Sequence, residues 1–320
     1  MNPGRGANAV SLDRRAARLL AMLDVGGEPT ACGEPAARRE ALRALAAMAD
    51  DASAPASVAE RAIPGPGGAI PIRLYSPMDA DRSARPTLVF FQGGGWVAGD
   101  LDSHDGLCRR LCAASGWRLL AVRYRRAPEH RFPAALDDCL ATTRWAAAEG
   151  ASLGIDARRL AVGGDSVGAG LAAAVAQAAR DEGGPRLALQ LLICPILDVG
   201  RTGGSREAFG DGYFVGRTAF ARDLGDYAPG VAHDDPRLSP LKAACLAGLP
   251  PAIVHTAEFD PFRDEGEAYA ARLAAEGVEV TAHRHDGMIH YFYALARAIP
   301  YATEAAAMIG GEMQEMAAPA

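Results

Sequence analysis

The chain has 320 residues, 49% apolar and 22% charged, which excludes wholesale disorder and leaves room for one large α/β domain with an appended lid, or two ordinary domains. A formal net charge of −6 lacks the basic footprint of a nucleic-acid binder and opposes docking on an anionic membrane surface. No apolar run is long enough to cross a bilayer, so no membrane insertion is expected.

In chain order, residues 1–10 are polar and glycine-rich, and the apolar stretch beyond is broken by Arg14, Arg15 and Arg18. That pattern predicts no signal peptide and a cytoplasmic location. Residues 12–23 and 35–48 carry apolar side chains at helical spacing, separated by the loop Gly26-Gly27-Glu28-Pro29. Residues 58–63 and 69–75 read as a hairpin around Pro64-Gly65-Pro66-Gly67-Gly68. Strands are then predicted over 87–91, 118–124, 160–163, 188–193, 252–257 and 279–285, with helices between most of them, including 133–149, 168–181 and 265–276. Such alternation implies an α/β fold, a mostly parallel sheet with helices on both faces.

Residues 200–246 break the rhythm, glycine-rich and carrying Phe209, Tyr213, Phe214, Phe220 and Tyr227. A long insertion between two sheet strands is more often functional than idle. The expected organisation is therefore a cap from residues 1–50 and 200–246 over a core formed by 51–199 and 247–320. The six cysteines (Cys32, Cys108, Cys112, Cys139, Cys194, Cys245) lie scattered, without zinc-type spacing, and read as buried reduced thiols.

Two motifs carry chemistry. Gly164-Asp165-Ser166-Val167-Gly168 fits G-x-S-x-G and sits between a predicted strand and a predicted helix, the context this motif requires. Its glycines permit a sharp turn that lifts the serine oxygen above the sheet, and the helix aims its positive end at a developing oxyanion. Upstream, Gln92-Gly93-Gly94-Gly95-Trp96 follows a strand and is a candidate oxyanion loop, because glycines let backbone N–H groups approach a substrate oxygen. A serine nucleophile needs a base, and the base an orienting carboxylate. Among the histidines His290 is the candidate, following the turn Asp286-Gly287-Met288 at the start of a helix, whereas His255 within a strand reads as a satisfied core residue. Asp260 at a strand end is the candidate acid, with Glu258 and Asp264 as near competitors.

These segments, with Tyr124-Arg125-Arg126-Ala127-Pro128-Glu129-His130, Ser239-Pro240, Asp260-Pro261-Phe262-Arg263-Asp264 and Gly287-Met288-Ile289-His290, resemble the bacterial hormone-sensitive-lipase-like (family IV) esterases from about residue 58 to 293. The resemblance implies Ser166 as nucleophile, His290 as base and then acid, and Asp260 as its partner. It implies an oxyanion hole from the N–H groups of Gly94, Gly95 and Val167, a preference for short acyl chains and, by analogy alone, a homodimer paired through the last edge strand. Three positions depart from the family pattern. Gln92 replaces a usual histidine that braces the loop, Val167 replaces a usual alanine and adds bulk near the acyl site, and Tyr291 replaces a usual glycine at the alcohol side. Trp96, Phe209, Tyr213, Phe214 and Tyr291 are the candidate substrate-binding residues, with lid packing the competing role for the aromatics of the insertion. Glu129 and His130 are expected in a structural network behind the loop, and Asp165 in a supporting hydrogen bond.

The implied partner is a small ester, with no metal and no organic cofactor. An amide, carbamate or lactone could be cleaved by the same triad. A non-catalytic receptor on this fold would lack the catalytic histidine, and a long-chain interfacial lipase fits an acidic chain poorly.

Overall fold

The computed structural model describes residues 11–25, 33–80 and 83–316. Two helices, α1 (Arg14–Val25) and α2 (Pro35–Ala49), precede the hairpin β1 (Ser57–Gly65) and β2 (Gly68–Ser76). The core follows as β3 (Arg85–Phe91), α3 (Asp105–Ser115), β4 (Arg118–Val122), α4 (Ala134–Glu149), β5 (Ile155–Asp165), α5 (Val167–Asp181) and β6 (Leu189–Ile193). After the insertion, with α6 (Ser205–Ala208) and α7 (Arg217–Tyr227), come β7 (Ala252–Phe259), α8 (Arg263–Ala275), β8 (Val280–Ile289) and α9 (Tyr301–Met316). The eight strands form one sheet in the order β1-β2-β4-β3-β5-β6-β7-β8; the β1–β2 and β2–β4 pairs are antiparallel, and the other neighbours pair in parallel.

Alternate side chains of each central strand enter opposite cores, because successive residues of a strand point to opposite faces. In β3, Leu88 and Phe90 pack with α3 and α9, while Val89 and Phe91 pack with α4 and α5. Both faces are covered, which is why these strands read as unbroken apolar runs. The five predicted helices and the hairpin are present with ends shifted by a few residues. Three details differ from expectation. β5 starts at Ile155, five residues early, where Arg85 pairs with Ile155. Tyr124 lies beyond β4, its hydroxyl donating to the Gln92 carbonyl at 2.7 Å. The turn expected at 286–288 lies inside β8, which skips register against β7 between Ala257 and Phe259 and carries His290 on the strand's end, not on a helix start.

Four cysteines, Cys108, Cys112, Cys139 and Cys194, are buried and free as expected, but Cys245 is exposed, in an irregular segment that gives it no core to enter. Cys32 lies outside the described residues, as do residues 1–10 and 26–32 of the expected cap. Among the described residues no helix is long and apolar enough to cross a membrane.

Candidate active site

The candidate triad and the glycine loop stand at the carboxyl ends of strands, the edge where open α/β sheets place their sites. The glycine loop follows β3, Ser166 follows β5, Asp260 follows β7 and His290 follows β8. Ser166 has φ 56 and ψ −124, a left-handed conformation costly for a side-chain-bearing residue. It is held there by its N–H donating to the Ile193 carbonyl at 2.9 Å and its carbonyl accepting from Ile196 at 3.1 Å. The flanking glycines serve close approach, not left-handed backbone. A β-carbon on Gly164 or Gly168 would fall 2.3 or 1.9 Å from the Phe91 carbonyl oxygen.

The Ser166 hydroxyl lies 2.9 Å from His290 Nε2, and His290 Nδ1 lies 2.8 Å from Asp260 Oδ2. A carboxylate only accepts, so Nδ1 carries the proton and Nε2 is free to accept from the serine. Asp260 is fully buried, with its second oxygen accepting from the Phe262 N–H at 2.7 Å, and His290 is 3% exposed. The competing acids are engaged elsewhere: Glu258 accepts from Gly287 N–H at 2.7 Å, and Asp264 from Ser205 N–H at 2.8 Å. His255 is a satisfied core residue, bonded to His285 and Glu312.

The glycine loop is tied to the serine turn by Asp165, which accepts from the Gly93 N–H at 2.9 Å and pairs with buried His104 at 3.2 Å. His104 Nδ1 also lies 2.9 Å from Ser103 Oγ. The His104 pKa is raised: burial opposes the charge, but the charge and hydrogen bond of Asp165 together with Asp100 outweigh it. Neither Gly94, Gly95 nor Val167 spends its N–H on a backbone acceptor among the described residues, so three donors remain near Ser166. Among these residues one grouping, Cys194, Asp260 and His290, approaches metal-ligand spacing. Two of its members are already hydrogen-bonded to each other, and burial pushes the Cys194 thiol well up, away from the thiolate a metal needs.

A narrow cavity of ≈ 60 Å³ opens on Ser166, Gly94, Gly95 and His290. Phe214 and Tyr291 line it and stack on each other at 5.3 Å. The other pocket candidates do not line it. Trp96 is stacked flat on Tyr227 at 4.7 Å in the core, and Phe209 and Tyr213 pack around Phe259. Val167 turns its bulk into the core and away from the cavity. The Tyr291 hydroxyl donates to the Ser103 carbonyl at 3.0 Å, so the ring alone faces the site, on a backbone with φ 66. Gln92 is buried and neither end of its amide has a partner among the described residues, so among them it does not brace the loop. Glu129 binds Arg39 of α2, which also donates to the Val97 carbonyl behind the loop, whereas the His130 side chain is exposed.

The sequence reading missed Arg38, Leu42, Phe220, Asp223 and Phe262, all of which line the cavity. Arg38 and Asp223 are 185 residues apart and neither stands in a motif, so no local signal marks them.

A family model described as alpha/beta hydrolase fold matches residues 88–294. Esterase LipI of Mycobacterium tuberculosis is 41% identical over 251 residues, 78% of each chain. An ethyl acetate hydrolase of Pseudomonas putida is 38% identical over 285 residues, 87% of this chain and 89% of its own. Among solved structures, an ester-hydrolase from the metagenome of Lake Arreo, complexed with a bipyridine phosphonate derivative, superposes with a TM-score of 0.91 at 39% identity, covering 95% of this chain and 98% of its own. A thermostable esterase from Pseudomonas putida gives 0.92 at 36% identity, covering 99% and 100%.

Proposed function

Because the chain belongs to the hormone-sensitive-lipase-like family of α/β hydrolases and is a serine-type carboxylic ester hydrolase, we propose that Ser166, His290 and Asp260 are its catalytic triad. The observation that carries this reading is the continuous hydrogen-bond chain from Ser166 Oγ through His290 to Asp260, at 2.9 and 2.8 Å.

Ser166 Oγ attacks the ester carbonyl while its proton passes to His290 Nε2, and Asp260 stabilises the imidazolium so formed. The N–H groups of Gly94, Gly95 and Val167 hold the oxyanion. Preorganised donors of this kind are worth about 10²–10³ in kcat each. His290 then protonates the departing alcohol, and a water activated by the same nitrogen releases the acid.

The ≈ 60 Å³ cavity supports short acyl groups, being several-fold smaller than the roughly 300 Å³ and upward of cavities for drug-sized ligands. We read α1, α2 and the 200–246 segment as a cap, since Arg38 and Leu42 of α2 and Phe220 of α7 roof the nucleophile. The free buried thiols support a reducing, cytoplasmic location. The place of β8 at the sheet edge is the support for a dimer paired there.

Ser166→Ala tests the triad. Turnover of ethyl butyrate is expected to fall by about 10⁴-fold or more with an unchanged circular dichroism spectrum. Retained turnover would remove Ser166 from the mechanism.

A further inference from the structure

Apart from Ser166, His290 and the glycine loop, the cavity is lined by apolar side chains and one ion pair on its wall. Arg38, 2% exposed, reaches from α2 to α7, where its guanidinium meets Asp223 Oδ1 and, at 2.5 Å, Asp226 Oδ2. Arg38 and Asp223 both line the cavity. Asp223 keeps its other oxygen, Oδ2, without a hydrogen bond to any described residue, and its side chain remains 19% exposed. A β-carbon on Gly95 would come within 1.9 Å of that oxygen, so Oδ2 occupies the space that glycine leaves beside the oxyanion loop.

That placement opposes the chemistry. A carboxylate beside a loop meant to hold a developing negative charge works against it, and burying the carboxylate is itself unfavourable. Ala219 and Leu42 on the same wall are apolar and carry no such cost. A locally unfavourable group in a site is expected to be offset by a function. An acceptor with a spare oxygen, fixed by a buried arginine on the wall of the cavity that opens on Ser166, suits a hydrogen-bond donor on the substrate, and in a neutral short ester that donor is a hydroxyl.

We propose that Asp223 is a specificity-determining residue that hydrogen-bonds a hydroxyl carried by the substrate, so that the preferred substrates are short hydroxylated esters. The inference rests on Ser166 and His290 acting as proposed above. Burial holds the Asp223 carboxyl up, to about 7, in spite of Arg38, so near neutrality it can accept from or donate to such a hydroxyl. The hydroxyl could lie on the acyl or the alcohol side of the ester, and the test separates the two.

The test compares kcat/KM within pairs that differ only by hydroxyl for methyl. Ethyl lactate against ethyl isobutyrate and ethyl 3-hydroxybutyrate against ethyl 3-methylbutyrate probe the acyl side; 2-hydroxyethyl butyrate against propyl butyrate probes the alcohol side. The wild type is expected to favour the hydroxyl member on one side, and Asp223→Leu to lower that ratio by about tenfold, the value of one hydrogen bond to a charged group. Asp223→Asn, which keeps the shape and one acceptor, is expected to lower it by roughly threefold. Because each ratio is internal to one enzyme, a general loss of activity cancels. No hydroxyl preference in the wild type on either side, or ratios unchanged in both variants, overturns the inference while the methyl-bearing members of the pairs are still cleaved. Persistence of all six activities in Ser166→Ala would instead overturn the reading beneath it.

Discussion

Single residues store the strain and unmet hydrogen bonds of this site. Ser166 and Tyr291 both hold left-handed backbone, at φ 56 and φ 66, each costing of order 1 kcal/mol or more. A glycine at 291 would avoid that cost; tyrosine is kept in place by its hydroxyl on Ser103 and its ring on Phe214. Gln92 is the clearest anomaly, 1% exposed with both amide ends unpartnered. The bracing that the family assigns to a histidine there comes instead from Asp165 on Gly93 and from Tyr124 on the Gln92 carbonyl. An unpaired buried amide costs about 1–3 kcal/mol. Gln92→Leu is therefore expected to raise stability by about 1 kcal/mol in urea denaturation and to leave ester turnover within roughly threefold. A stability loss, or turnover down a hundredfold or so, would show that the amide acts on the loop.

At the scale of elements, close backbone contact sets the position of Ser166. The first turn of α5 presses on the end of β3, with Gly168 where a β-carbon would lie 1.9 Å from the Phe91 oxygen and 2.6 Å from its carbon. Backbone cannot give way as a flexible side chain can, so Gly168→Ala is expected to cost about 3 kcal/mol and to displace Ser166. Gly225 in α7 has open space around it and an ordinary helical backbone, and Gly225→Ala is expected to gain about 0.5–1 kcal/mol. Denaturation of both variants beside ethyl butyrate turnover checks the contrast; equal effects would mean that close packing at α5 is not what positions the serine. The other interelement device is α2, fastened through three arginines: Arg38 to α7, Arg39 to Glu129 and the Val97 carbonyl, and Arg43 to Asp100 at 2.9 Å.

Across the whole molecule, a buried polar chain joins the sheet edge to the C-terminal helix. His255 of β7 bonds His285 of β8 at 2.8 Å and Glu312 of α9 at 2.7 Å, and His285 bonds Tyr301 at 3.0 Å. Burial, then the neighbouring His255 and His283, depress the His285 pKa to about 2. The unfolded chain binds this proton below about 6.5 and the folded protein does not, so this residue's contribution is complete above that pH and declines as pH falls toward 2, by at most about 1.4 kcal/mol per unit. Glu265 and Asp223, both raised to about 7 by burial, act with opposite sign, stabilising the fold as pH falls from 7 toward the ordinary carboxylate range. The test is therefore differential. His285→Gln is expected to be less stable than wild type at pH 7.5, with the gap narrowing between pH 6.5 and 5; a constant gap in urea titrations would refute the assignment.

The amino-acid sequence by itself determined the sheet, the hairpin, the helices between strands and the residues of the hydrogen-bonded triad. Those depend on local periods and on short motifs in register with strand ends, such as Gly164-Asp165-Ser166-Val167-Gly168 after β5. Only the tertiary structure decided which side chains line the cavity above Ser166. Trp96, Phe209 and Tyr213 stand near the right motifs, yet stack on Tyr227 and Phe259, because an aromatic ring packs where a partner ring and an apolar wall meet it. Arg38 and Asp223 reach the cavity from helices 185 residues apart, a meeting that no period or motif in either segment encodes.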